Sequence, residues 1–245
     1  AALHGGDAVA LLPAYAPVAV RRRVSAALAA RPDVPWPDGA AVVCATSGST
    51  GDPRGVVLTA ANLRASVAAT LAHVPGPPPA WFTCLPPATI ASLMCVVRAT
   101  ESGTPVGGWA GAGAGRPFTV AGFCADAEAF FARIRADGGA HTPVRAVLVP
   151  TQAARLFDDP ASYSTLVHFD AVVVGGGPIG ADLERGARRA GVHLVRSYGL
   201  TETCGGVVHD GWPLPGVAVT TVAGELAVAG AMVAHTYPKA PLPTT

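Results

Sequence analysis

Thr46-Ser47-Gly48-Ser49-Thr50-Gly51-Asp52-Pro53-Arg54-Gly55 directly follows the apolar run at residues 41–45. Glycines let a backbone turn tightly and bring its N–H groups against a ligand, while hydroxyls add donors without bulk. A strand ending in such a loop suits phosphate oxygens, and Arg54 adds a fixed positive charge. The pattern G-x-x-x-x-G-K-[ST] is absent, so this is not a Walker A loop. An ordinary surface loop is the competing reading, and ten residues in this order weigh against it.

Working outward from that loop, short apolar runs alternate with longer amphipathic stretches. Residues 41–45, 81–85, 146–149, 171–174 and 193–195 read as strands, rich in valine and bounded by Gly, Pro or Asp. Residues 60–72, 90–101, 126–136 and 182–190 read as helices, with Asp126 and residues 180–182 as starts and Gly191 as a stop. The rhythm predicts an α/β fold of mostly parallel sheets with helices packed on both faces. After Gly211 the pattern turns β-rich: runs at 217–222 and 225–229 flank Ala223-Gly224, the pattern of a hairpin. Residues 75–79 and 107–117 read as loops, and the glycines of 110–115 lack dinucleotide-fingerprint spacing.

Composition narrows the function. Half of the 245 residues are hydrophobic and 13% are charged, enough for a sizeable core in one large domain or two small ones. A net charge of +1 leaves no basic stripe to neutralise a nucleic acid. Arg21, Arg22 and Arg23 read as the solvated face of an N-terminal helix, and no run approaches the length of a membrane span. Five scattered cysteines without a C-x-x-C pair fit a reducing, cytoplasmic setting better than a zinc site. Self-association is left open.

Two further segments carry chemistry. In Ser197-Tyr198-Gly199-Leu200-Thr201-Glu202-Thr203, a carboxylate and hydroxyls stand together beyond a strand. That set can hold a magnesium ion and a phosphate, since Mg²⁺ takes one or two carboxylates plus phosphate oxygens. A plain helix start at Thr201 is the alternative. Gly175-Gly176-Gly177-Pro178-Ile179 is a turn that lets a flat ring approach the backbone.

These segments, in this order, resemble the adenylate-forming superfamily of acyl-CoA synthetases, adenylation domains and luciferases. The resemblance implies ATP, Mg²⁺ and CoA, and an acid activated as its adenylate. It implies phosphate contacts from Thr46, Ser47, Gly48, Ser49, Thr50, Gly51 and Arg54, where the family usually has lysine. It implies an adenine pocket at Gly175, Gly176, Gly177, Tyr198 and Gly199, with Thr201 on phosphate and Glu202 on magnesium. A narrower likeness, to the o-succinylbenzoate–CoA ligases of menaquinone synthesis, runs through Val149-Pro150-Thr151-Gln152, Thr203-Cys204-Gly205-Gly206 and residues 209–217. It implies an aromatic acid beside Thr151, Gly205 and Gly206, while residues 224–230 are expected to be structural and His209-Asp210 to lie in a loop.

Two departures from the family stand out. Thr89 occupies the place of a histidine that shapes the acyl site, and a threonine cannot carry positive charge there. The chain's single lysine, Lys239, matches no family motif. Residues 1–245 are therefore expected to be the AMP-binding N-terminal domain without the small C-terminal lid that brings a catalytic lysine. The expected function is an ATP-dependent acid–CoA ligase domain, the alternative a non-catalytic nucleotide- or acyl-binding scaffold. No G-x-S-x-G elbow supports a hydrolase.

Overall fold

The structure is a computed structural model that describes residues 2–14, 16–28, 36–46, 53–74, 76–108, 116–138, 141–234, 236–237 and 240–241. Its strands begin with β1 (Val9–Ala10), β2 (Ala40–Ala45), β3 (Gly55–Thr59), β4 (Ala80–Thr83), β5 (Val106–Gly107), β6 (Val144–Leu148) and β7 (Ala171–Gly175). They continue with β8 (Leu194–Leu200), β9 (Gly205–His209), β10 (Trp212–Pro213), β11 (Ala218–Val222), β12 (Glu225–Ala229), β13 (Thr236–Tyr237) and β14 (Ala240–Pro241). The helices are α1 (Val18–Leu28), α2 (Ala60–His73), α3 (Ile90–Ser102), α4 (Val120–Ala136), α5 (Pro150–Phe157), α6 (Tyr163–Leu166) and α7 (Ala181–Arg189).

A seven-stranded sheet runs β10-β9-β8-β7-β6-β4-β5, and the five strands from β8 to β5 are mutually parallel. Residues along these strands alternate between two cores, as period-2 side chains must. Phe82, Val172 and Val174 face α4, α5 and α7 in a phenylalanine-rich core with Phe123, Phe130 and Phe131. Trp81, Val147, Val173 and Val195 face the other way, onto Cys95 and Ala99 of α3. Met94 and Val97 of α3 then join Leu63 and Val67 of α2 above Val42, Cys44, Val56 and Leu58 of a second sheet. Val24 and Leu28 of α1 cover that sheet's far face at Val43 and Val57, leaving Arg21, Arg22 and Arg23 exposed.

The parallel expectation holds for most of the seven-stranded sheet but not for the second, five-stranded one. Its order is β1-β2-β3-β13-β14, and only the β1–β2 pairing is parallel. The reason is local: Ala45 pairs with Gly55, and the few residues joining β2 to β3 are fewer than the dozen or so that a parallel crossover needs. Val56-Val57-Leu58, which is not among the strands expected above, is a buried central strand.

Other boundaries moved for nameable reasons. Helix α4 begins at Val120, not Asp126, because Thr119 Oγ1 accepts a hydrogen bond from Gly122 N and caps it six residues earlier. Strand β8 continues through Leu200, since antiparallel β9 extends its pairing past Ser197. Helix α5 starts on Pro150, a residue whose fixed φ and missing N–H suit a first turn. The β11–β12 hairpin turns where expected, with Ala223 and Gly224 both at positive φ and Val222 paired to Glu225.

Candidate active site

Parallel sheets bind ligands in the crevice beyond the carboxyl ends of their strands. Here Leu85 and Pro86 follow β4, Val149 follows β6, Gly175 and Gly176 close β7, and Gly199 to Thr201 close β8. All of them line one of two adjoining cavities. The first, of about 960 Å³, is walled by Thr46, Arg54, Gly177, Tyr198, Glu202 and Arg196 among others. The second, of about 520 Å³, is mainly apolar and reaches between the sheets to Trp81, Met94, Arg98 and His209. Thr46, Ile90, Gly176, Ser197, Gly199 and Thr201 line both cavities, so the two meet at the ends of β7 and β8.

The residues singled out in the sequence fall into place unevenly. Thr46 and Arg54 clamp the base of the glycine-rich segment: Thr46 N donates to Arg54 O at 2.8 Å, and Arg54 N donates to Thr46 Oγ1 at 3.2 Å. Ser47, Gly48, Ser49, Thr50 and Gly51 lie outside the described residues. Gly176, at φ +79°, makes the turn after β7, and a side chain at Gly175 would meet Ser197 O at 2.7 Å. Tyr198 exposes its ring to the first cavity. Thr201 and Glu202 open a short 3₁₀ turn, Thr201–Thr203, held by Thr203 Oγ1 accepting from Leu200 N at 2.9 Å. The strand-end and helix-start readings of this segment are thus both realised.

On the acyl side, Gly205 and Gly206 line the second cavity. Thr151 does not line either cavity; it is exposed on the first turn of α5, while its neighbour Val149 faces the second cavity. Thr89 lines that cavity but its hydroxyl is committed, donating to Pro86 O at 2.8 Å and accepting from Ser92 N as the cap of α3. The expected loop pair His209-Asp210 separates. His209 ends β9 with its ring buried in the second cavity's wall, and Asp210 turns outward at φ +51° to bind Arg196 at 3.1 Å.

Arg98 is the residue that sequence reasoning missed. It sits 6% exposed on α3 with its guanidinium 4.9 Å from the Trp81 ring centroid, and its Nε has no hydrogen-bond partner. Burial lowers its pKa, and no carboxylate pairs with it among the described residues. The one available signal was an arginine inside the apolar pattern of residues 90–101, which a buried charge without a partner makes costly. Among the described residues six buried side-chain polar atoms lack a partner, and two of them, Trp81 Nε1 and Arg98 Nε, belong to residues that line this cavity. An apolar cavity bordered by unpaired nitrogens is suited to an organic acid carrying oxygen acceptors.

His209 gives a pH prediction. Burial first, then the charges of Arg98 and His73, push its pKa down to about 4. A depressed histidine binds its proton more readily when unfolded, so stability is full above about pH 6.5 and falls as pH drops toward 4. The expected loss reaches about 3 kcal/mol across that window. Urea unfolding of wild type and His209→Phe between pH 7 and 4 checks it; parallel pH curves for the two would refute the assignment.

Four of the five cysteines are buried and all five are free. Burial raises Cys44, Cys84, Cys95 and Cys204 to about 12, so these thiols act as small apolar side chains. No helix among the described residues is long and apolar enough to cross a membrane, and these residues contain no cluster of three or more metal-ligating side chains.

A large open cavity that meets a mainly apolar one at the ends of parallel strands is the place where this class of sheet binds small molecules. The chain belongs to the AMP-binding enzyme family, whose model matches residues 7–238. It is 38% identical over 202 residues to a "Probable 2-succinylbenzoate--CoA ligase" of Mycobacterium tuberculosis, a match covering 82% of this chain and 49% of that protein. The chain therefore spans about half the length of the curated relatives it matches. Among solved structures, a variant of E. coli MenE with bound OSB-AMS is 25% identical with a TM-score of 0.61, over 83% of this chain and 42% of that one. Bacillus subtilis MenE in complex with ATP and magnesium ion is 23% identical with a TM-score of 0.62, over 82% and 43% respectively, and shows the same fold.

Proposed function

We propose that residues 1–245 are the nucleotide- and acid-binding unit of an ATP-dependent acid–CoA ligase whose acid is 2-succinylbenzoate or a close aromatic dicarboxylate. The observation carrying this reading is the meeting of the two cavities at Gly176, Ser197, Gly199 and Thr201. A carboxylate lying in the second cavity reaches an α-phosphate lying in the first only at that junction. Arg98 favours an acid with a second carboxylate, which would neutralise a guanidinium left unpaired in an apolar wall.

In this reading the acid's carboxylate oxygen attacks the α-phosphorus, pyrophosphate leaves, and the thiol of CoA then displaces AMP from the acyl carbon. Tyr198 presents a flat face to adenine, and the turn at Gly175, Gly176 and Gly177 lets the ring approach the backbone. Thr46, Arg54 and the glycine-rich segment between them grip phosphate oxygens, and Thr201 donates to the α-phosphate. Glu202 would hold a magnesium ion, which when bound offsets phosphate charge. Preorganised donors of this kind contribute most where charge develops in the transition state. Five free thiols, four of them buried, accord with a reducing cytoplasm.

One observation favours a binding role without turnover: Thr89, at the family's histidine position, spends its hydroxyl on capping α3. Acid-dependent pyrophosphate release, with 2-succinylbenzoate and a panel of aromatic acids and with a relative's lid domain added, separates the two. Release with at least one acid supports the ligase. Tight binding of an acyl-adenylate mimic with no release from any acid supports the scaffold instead.

A further inference from the structure

The geometry points to His209 as a specificity-determining residue that, with Ser197 beside it, hydrogen-bonds an uncharged carbonyl oxygen in the middle of the acid. This rests on the acid-activation reading above and assigns a separate contact within it.

The β8–β9 pairing places Ser197 directly opposite His209, so their side chains share one face of the sheet. Both line the second cavity, and Ser197 also lines the junction with the first. They converge over Gly206: a methyl group built there would lie 2.2 Å from Ser197 Oγ and 3.1 Å from His209 Nε2. The glycine therefore lets Ser197 Oγ come close against the β9 backbone, so that two polar atoms border an otherwise apolar wall at this point. The opposite edge of the ring is closed, since Nδ1 is buried without a partner and the ring packs edge-on against His73 with centroids 5.4 Å apart. Only Nε2 is turned toward Gly206 and the cavity lining.

Charge decides what that nitrogen can bind. Burial, Arg98 and His73 keep the imidazole neutral at pH 7. A neutral ring adds little to the binding of a second carboxylate, which the Arg98 guanidinium serves far better. In the tautomer that carries its proton on Nε2 the ring donates to a neutral acceptor, and the Ser197 hydroxyl can donate to the same oxygen. In an aromatic keto acid that acceptor is the ketone standing between the ring and the carboxylate to be activated. The junction holds the carboxylate and Ser197 borders the junction, so the ketone is the next oxygen along the chain to meet Ser197 and His209.

The test compares two stable acyl-sulfamoyl-adenosine mimics binding to the 245-residue chain. One carries the 2-succinylbenzoyl chain, the other the same chain with CH₂ in place of the ketone. Calorimetry should show the wild type preferring the keto mimic about tenfold, the value of one well-made hydrogen bond to a buried acceptor. His209→Phe should abolish the preference by weakening the keto mimic alone, and His209→Gln, which keeps an N–H donor, should restore part of it. A His209→Phe chain that loses both mimics equally, or neither, overturns the assignment of His209 while leaving acid activation intact. Should His209→Phe fail to fold, the wild-type preference and its retention in His209→Gln still decide. A wild type that binds neither mimic sinks the acid-activation reading and this inference together.

Discussion

Replacing Arg98 by methionine is expected to weaken binding of a dicarboxylate acid about 100-fold or more while leaving the fold as stable as before, or more so. The two effects share one cause. Arg98 is buried on α3, stacked on Trp81, without a carboxylate partner among the described residues. A buried charge in that state costs stability, and swapping such groups for apolar side chains of similar volume is often neutral or stabilising by about 1–4 kcal/mol. The acid's second carboxylate is the missing partner, and deleting one member of a buried charge pair costs about 2–5 kcal/mol in binding. Calorimetry with 2-succinylbenzoyl-sulfamoyl adenosine measures the first effect, and thermal unfolding the second. Arg98→Lys keeps the charge but loses the planar fork, so its affinity should fall between the two. Wild-type affinity in Arg98→Met would remove the case for a second carboxylate.

Substituting Gly199 should be worse for the protein than substituting any described loop glycine with open space around it. A Cβ at Gly199 would lie 1.9 Å from the carbonyl oxygen of Gly205 and 2.4 Å from its carbon. Both are backbone atoms, so β9 must leave its register to make room. That register is already shifted at Tyr198/Gly199, where two glycines, Gly199 and Gly206, face each other across the strands. Gly199→Val is expected to cost more than about 4 kcal/mol, the range reserved for disrupted cores and backbone. Since Gly199 lines both cavities, nucleotide and acid binding should fail together. Gly180→Ala is the control: nothing lies within 4 Å of its Cβ, and the change in cap preference is worth at most about 1 kcal/mol. Denaturant unfolding of both variants checks the contrast, and a Gly199→Val protein as stable as the control would contradict the packing described at β8–β9.

Much of the first cavity's lining was legible because its signals are local. Thr46 and Arg54, the turn at Gly176 and the run Tyr198-Gly199-Leu200-Thr201-Glu202 each lie within a few residues along the chain. Glycine spacing and hydroxyl content encode what their backbones must do there. The segment 47–52, the heart of the first motif, lies outside the described residues, so its part in gripping phosphate stays a proposal. The acyl half was far less legible. Thr151 stands beside residues of the second cavity yet is exposed, because one step around the first turn of α5 separates facing the cavity from facing solvent. Thr89 lines the cavity, but its hydroxyl is spent on capping its own helix.

By itself, then, the sequence determined the α/β character, the glycine-rich segment after the first buried strand and the C-terminal hairpin. All of these follow from interactions that close within a few residues: hydrophobic period, turn chemistry and capping. Only the tertiary structure decided that β3 returns antiparallel, that Arg98 and His209 line one cavity, and that this cavity meets the other at Ser197 and Gly199. Arg98 and His209 are more than a hundred residues apart in sequence. They meet because α3 packs between two sheets and β9 extends one of them, and no local pattern records such a meeting.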